Sequence, residues 1–510
     1  MASYDFSESI RTSSLPHHGL SMSRRSPRME KINGHKWRSG SLVMVSLSIL
    51  FWVLLFHSHP SDPPLPTTTT IHASAQPAKQ ENQPRHDNDS CLGRYIYVHD
   101  LPRRFNMGLI DECGTLSDWT NMCTYTSNAG LGPRVVANPG RVFPDTSCWH
   151  ETNQFTLELI FYNRMKKYTC LTEDSGRAAA VYVPYFPGLD VARYLWGYNN
   201  SARDAMALDL VRWLRARPEW GVMGGRDHFM VGGRITWDFR RMTEEESDWG
   251  NKLLMLPEVK NMSTLVIEAS PYDSIDVAIP YPTYFHPSRK EQVLKWQQKL
   301  RTQKRPYLFS FVGAPRPNIG TSIRDLIIHQ CKSSKRCALL QCDKSSNKKK
   351  NNNDCYSAGR VMKLFSRSVF CLQPQGDSYT RRSTFDAILG GCIPVFFHPG
   401  SAYVQYEWHL PREYGEYSVF VGEEEVRTGR GDVLERRLGG IGKERVREMR
   451  ERVIGLVPRL VYGDPRGWTG EGDAFDVAVE GVIERVRRRR EGVVGGEEGR
   501  GKGEWESYFS

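Results

Sequence analysis

The 510-residue chain carries 69 lysines and arginines against 58 aspartates and glutamates, a net charge of +11, and 11 cysteines. Such a length exceeds one ordinary hydrophobic core and predicts two domains. The basic excess sits in the first forty residues, in Lys348–Lys350 and in Arg487–Arg490. No aromatic-interleaved basic stripe, zinc-finger spacing or RNA-binding signature accompanies it, so nucleic acid is excluded as a partner.

Residues 1–40 read as a basic cytosolic tail. The uncharged run Leu42–Phe56, extended by Ser41 and His57, predicts one membrane span over 41–57. Arg24, Arg25, Arg28, Lys31, Lys36 and Arg38 precede it, which keeps the N-terminus cytosolic and makes the body lumenal. The shortness of the span suits a thin membrane of the early secretory pathway. A cleaved signal peptide is the competing reading, from Ala73-Ser-Ala75, but that site lies too far beyond the apolar run. Residues 58–90 are rich in Pro, Thr, Gln and Asn and form an expected flexible stem. Sequons start at Asn88 in that stem and at Asn199 and Asn261 in the body.

From Cys91 the pattern becomes globular. Arg94–Val98, Ala178–Val183 and His228–Val231 read as buried strands, with helices over Gln154–Tyr168 and Ala205–Arg215 between them. This alternation predicts a largely parallel α/β domain over 91–304. A helix-like segment from His286 to Lys304 leads out, and Tyr307–Gly313 opens a second α/β domain over 305–486, with a helix from Ser322 through His329. A Lys/Asn-rich insert, Asp343–Asp354, reads as a solvated loop between Cys342 and Cys355. Apolar rhythms at Met449, Val453, Val457 and Leu460, and from Phe475 to Ile483, predict late helices. Residues 487–510 are expected to be disordered. Lumenal cysteines predict several disulfides of unreadable connectivity. Cys371 and Cys392, set in apolar strand-like runs, are the expected buried free thiols. Zinc is not expected, because the Cys331 cluster lacks a Cys-x-x-Cys pair.

The segment Phe370–Phe397 carries the most chemical information. An apolar run from Ser368 to Leu372 is broken by Pro374 and Gly376; Ser383 or Thr384 then stands where an N-cap would precede Phe385–Leu389, and Gly390 and Gly391 end that helix. A strand, polar loop and helix start favour an anion, to which Arg381 and Arg382 add forked donors. Gly376, Asp377 and Ser378 line the same loop. Asp386 is placed to accept from hydroxyls such as those of a ribose. A metal-dependent nucleotide-sugar site would carry an Asp-x-Asp pair; the one such triplet, Asp87-Asn-Asp89, lies in the stem. A metal-free site, with arginine and helix dipole in place of a divalent ion, is therefore expected.

These residues, together with Tyr95–Pro102, Gly225–Phe239, Ile279–Pro287, Phe309–Pro317 and Asp473–Asp476, make the chain resemble plant exostosin-like glycosyltransferases of family 47, above all its xyloglucan galactosyltransferases. The resemblance implies a GT-B fold of two Rossmann-like domains facing a cleft, and a Golgi membrane protein of type II topology. It further implies inverting transfer of galactose from UDP-galactose to xylose side chains of xyloglucan, with other wall-polysaccharide glycosyltransferases as partners. Asp227, His228 and Asp238 are the candidate bases, with Asp100 weaker and His286 structural. Arg316 would join Arg381 and Arg382 on the diphosphate. Trp237, Tyr281, Tyr284, Tyr379 and Trp408 are candidate sugar-stacking platforms. Alternatives are the same fold transferring galacturonic acid or arabinose, or a non-catalytic glycan-binding scaffold.

Overall fold

The computed structural model describes residues 89–118, 120–136, 138, 140–316, 322–342, 355 and 357–492. The expected span, the stem with Asn88, the Lys/Asn-rich insert and the tail beyond 492 lie outside the described residues. No described helix is long and apolar enough to cross a membrane.

Two parallel sheets organise the chain. The first has six strands: β1 (Ile96–Val98), β2 (Leu171–Thr172), β3 (Ala180–Tyr182), β4 (His228–Ile235), β5 (Ser263–Glu268) and β6 (Asp276–Ala278), in the order β2-β1-β3-β4-β5-β6. The second has five: β7 (Tyr307–Gly313), β8 (Cys337–Gln341), β9 (Ser368–Gln373), β10 (Ile393–Phe396) and β11 (Val419–Phe420), in the order β11-β10-β9-β7-β8. Every pairing is parallel. Parallel strands covered on both faces are buried along their length, as β5 is at every position around its apolar centre Leu265-Val266-Ile267.

The helices follow the sequence reading with shifted ends. Leu157–Met165 and Asn200–Arg215 flank the first sheet, and the Asn199 side chain caps the second of these by accepting from Ala202 N–H at 2.8 Å. Lys290–Thr302 belongs by contact to the second sheet rather than to the first domain: Trp296 Nε1 donates to Leu389 O at 2.9 Å and Gln297 Nε2 to Ile454 O at 2.8 Å. The last helix, Ala474–Arg490, returns to the first sheet, with the Phe475 ring 4.7 Å from Phe161 and Arg490 donating to Ala178 O. The chain thus passes between the halves twice, and the two passages run side by side. Asp464 N–H donates to Pro287 O at 2.8 Å, Tyr462 hydroxyl to Pro280 O at 2.8 Å, and His286 Nδ1 pairs with Tyr462 O at 2.8 Å. His286 is fully buried in this seam, so its structural reading fits its surroundings.

Five disulfides join Cys91–Cys170, Cys113–Cys123, Cys331–Cys337, Cys342–Cys355 and Cys371–Cys392. The free thiol is Cys148, not Cys371 or Cys392. Those two lie on neighbouring chain segments, Cys371 within β9 and Cys392 just before β10, so an apolar setting and a bond coexist.

Candidate active site

A parallel sheet binds ligands beyond the carboxyl ends of its strands, where the strand order reverses. In the second sheet that point lies between β7 and β9, because the chain leaves β7 for β8 on one side and later adds β9 on the other. Three arginines converge there. Arg316 follows β7 and pairs with Asp377 of the loop after β9. Arg324 opens the helix Arg324–Ser333 and donates from Nε to Gln375 O at 3.0 Å. Arg381 ends the loop and donates from Nη2 to Val312 O at 2.9 Å and from Nη1 to Pro374 O at 3.3 Å, with its guanidinium 5.5 Å from the Phe311 ring.

Three guanidiniums here face two carboxylates, Asp377 and Asp325, the latter accepting from Arg316 N–H at 3.1 Å. The charges strain one another. Burial, then Arg324 and Arg316, hold Arg381 well below its ordinary value. Burial, then Arg316, push Arg324 down to about 10. Asp377 is pushed up by burial in spite of its arginines; its side chain is 18% exposed although its backbone is open to solvent. Nη2 of Arg324 is buried with no hydrogen-bond partner among the described residues. A surplus of buried cation with an unused donor suits an anion that brings several acceptor oxygens.

The loop Gly376–Arg381 divides its residues between two sides. Asp377 and Arg381 face the arginines, whereas Ser378 and Thr380 face Glu268, the last residue of β5 in the first sheet. Glu268 is completely buried. Its Oε1 accepts from Trp237 Nε1 at 2.8 Å, and its Oε2 accepts from Ser378 Oγ at 2.7 Å, from Thr380 N–H at 2.7 Å and from Thr380 Oγ1. Burial pushes its pKa up and the Thr380 and Ser378 hydrogen bonds oppose that. Sequence reasoning does not find Glu268; the available signal is a carboxylate directly after the apolar run Leu265-Val266-Ile267.

A second enclosed carboxylate, Glu158, accepts from the backbone N–H groups of Gly188, Leu189 and Gly233, and burial pushes it up to about 8. Gly188 is required there, since a Cβ would stand 2.7 Å from Glu158 Oε1.

The structure separates several residues that the sequence grouped. Asp227 and His228 stand at the amino end of β4, remote from the carboxyl end that binds ligands. His228 Nδ1 pairs with Asp227 at 2.7 Å, and its Nε2 lies 3.1 Å from His99 Nε2, all buried. They form a packing network and are not placed to act as a base. Asp238 does lie at the carboxyl end of β4, with Oδ2 on Arg234 Nη1 at 3.1 Å and Oδ1 on Trp249 Nε1 at 2.7 Å.

Arg382 turns away from Arg381. The helix begins at Arg382, earlier than Ser383 or Thr384 would place it, so extended Arg381 and helical Arg382 project differently. Arg382 reaches Thr152 O, lies 3.9 Å over the Tyr284 ring and pairs with Asp386 at 3.4 Å. Asp386 is buried beside it and raised by burial to about 6, which withdraws it from a ribose.

Among the aromatics, Tyr281 is buried with its hydroxyl 2.9 Å from Thr380 Oγ1, and Tyr284 is buried under Arg382. Trp408 packs on Gly481 of the last helix. Tyr281 and Tyr284 offer no sugar face, and half-buried Trp408 lies against the last helix. Trp237 and Tyr379 do stand together, 6.4 Å apart, with Tyr379 stacked on His398 and its hydroxyl 3.4 Å from that of the half-exposed Tyr272. Asn199 and Asn261 are exposed; Asn199 Oδ1 serves as a helix cap and Asn261 Nδ2 donates to Gly224 O at 3.0 Å.

Comparison with known proteins agrees in family. Residues 90–436 match the Exostosin GT47 domain. Over 410 residues the chain is 56% identical to xyloglucan galactosyltransferase MUR3 of Arabidopsis thaliana, covering 80% of this chain and 65% of that protein, just under two thirds. It is 51% identical over 407 residues to the Arabidopsis thaliana protein named "Probable xyloglucan galactosyltransferase GT12", covering 78% of each. A crystal structure of an S. aureus TarM mutant in complex with UDP aligns over 65% of this chain and 58% of its own, at 9% identity and a TM-score of 0.29, too low to support an argument.

Proposed function

The chain belongs to the Exostosin GT47 family, and on that premise we propose that it transfers galactose from UDP-galactose to xylose side chains of xyloglucan, with inversion. The observation that carries this reading is the arginine cluster at the β7/β9 switch point, where the buried guanidiniums of Arg316, Arg324 and Arg381 lie close enough to depress one another and Nη2 of Arg324 has no hydrogen-bond partner among the described residues. A departing UDP needs its growing diphosphate charge neutralised, and buried guanidiniums supply that without a divalent ion. The two facing parallel sheets then act as a GT-B pair, the second domain holding the donor and the first the acceptor.

On the acceptor side, Asp238 is the candidate base that stands at the correct end of its strand; it is buried on Arg234 and Trp249, so the role requires one of those bonds to give way to the acceptor hydroxyl. Trp237 and Tyr379 are kept as the sugar platform. We place the body in the Golgi lumen, anchored by residues 41–57, with Asn88, Asn199 and Asn261 open to glycosylation.

The test incubates the full chain with a panel of UDP-sugars and a galactose-free xyloglucan oligosaccharide, and locates the added sugar by mass spectrometry. A hexose on xylose from UDP-galactose supports the reading. No product from UDP-galactose, or product from UDP-galacturonic acid alone, overturns it.

A further inference from the structure

Glu268 joins two parts of the site that are far apart in sequence. Its two oxygens face different halves: Trp237 Nε1 on Oε1, and Ser378 and Thr380 on Oε2. Trp237 Nε1 and Thr380 N–H are donors only, so each oxygen meets a group that cannot accept a proton from it. The carboxylate accepts all four of these hydrogen bonds at once. With no exposed surface, Glu268 touches no substrate.

The loop it holds is short and bent at Asp377–Tyr379, closed by Gly376 N–H donating to Ser378 O at 2.9 Å, and it turns Asp377 and Arg381 to one side and Ser378 and Thr380 to the other. Fixing Ser378 and Thr380 therefore fixes Asp377 and Arg381, which belong to the arginine cluster. The same carboxylate orients the indole beside Tyr379.

We propose that Glu268 is a positioning residue that sets the donor loop Gly376–Arg381 and the Trp237 indole in one arrangement, so that a single buried carboxylate couples diphosphate binding to the acceptor-facing aromatic surface. The proposal rests on the reading of the arginine cluster as the UDP site. An amide at this position keeps the shape but turns an NH₂ group toward either Trp237 or Thr380, setting donor against donor.

The experiment titrates UDP into the full chain by calorimetry at low temperature, for the native protein and for Glu268→Gln, Thr380→Val and Ser378→Ala, with thermal melting of each. If native protein fails to bind UDP, the donor-site reading falls, and this inference with it. Given native binding, a folded Glu268→Gln should bind UDP about tenfold more weakly, as loss of a hydrogen bond to a charged group implies. Thr380→Val and Ser378→Ala should shift the same way by smaller factors. A folded Glu268→Gln with UDP affinity within about twofold of native overturns the proposal. If Glu268→Gln does not fold, Thr380→Val decides: weakened UDP binding supports it, and native affinity overturns it. A residue with only a packing role would lower the melting temperature and leave the affinity of the folded protein unchanged.

Discussion

Replacing Arg381 by Ala is the most direct perturbation of the proposed donor site, and its two effects separate. Without ligand, Arg381 donates to Val312 O at 2.9 Å and, more weakly, to Pro374 O at 3.3 Å. Losing these costs about 1–2 kcal/mol. The same change removes a charge repelled by Arg316 and Arg324, which offsets much of that cost. The net change in stability should therefore stay within about 1 kcal/mol, a shift of a few degrees in Tm. On the proposed assignment the guanidinium meets phosphate oxygens of bound UDP, and its removal should cost a charge-assisted hydrogen bond of about 1.5–3 kcal/mol. That is a rise of roughly tenfold to 150-fold in Kd. Arg381→Lys should fall between, since it keeps the charge and loses the fork. Calorimetric titration with UDP gives the affinity and thermal melting the stability. An Arg381→Ala protein that binds UDP within about twofold of native would refute the assignment, whatever its Tm.

Two further predictions concern stability and covalent state. Burial lowers the His286 pKa from 6.5 to about 3, so the unfolded chain takes up the proton first: its contribution is complete above pH 6.5 and is lost as pH falls from there toward 3. The slope is about 1.4 kcal/mol per pH unit. His286→Gln should therefore show a flatter fall in urea midpoint between pH 6.5 and 4.5 than native protein, and parallel curves would contradict the buried neutral ring. Cys148 is the free cysteine, buried and pushed up to about 12, so thiol titration without reductant should count none in the native protein and one after denaturation. A count of three would break the Cys371–Cys392 pairing.

The strand, loop, helix and strand around Phe370–Phe397 were legible because each boundary had a local cause: Pro374 and Gly376 end β9, and Gly390 and Gly391 end the helix. Local causes also gave Tyr307–Gly313 and the late helices. Two of the three base candidates, Asp227 and His228, fail on direction. A residue that precedes a parallel strand lies at its amino end, and Asp227 and His228 stand before or at the start of β4, so a ligand at the other end cannot reach them. Arg381 and Arg382 were read as one pair because sequence does not show that a helix starts between them. Glu268 was invisible for a different reason: its meaning depends on Trp237, Ser378 and Thr380, and the latter two lie 110 and 112 residues away.

The side-by-side passages between the halves bear on rigidity. Both links, near Pro287 and near Asp464, lie in one hydrogen-bonded seam. A pair of bodies joined along that line alone would be free to turn about it, but further bonds cross elsewhere: Gln405 Nε2 donates to Ala269 O at 2.8 Å, the Tyr406 hydroxyl to Ile267 O at 2.8 Å, and Glu268 accepts from Thr380. A turn about the seam would break these bonds as well, so they brace the two sheets against one another without any covalent help, since each disulfide joins cysteines within one half.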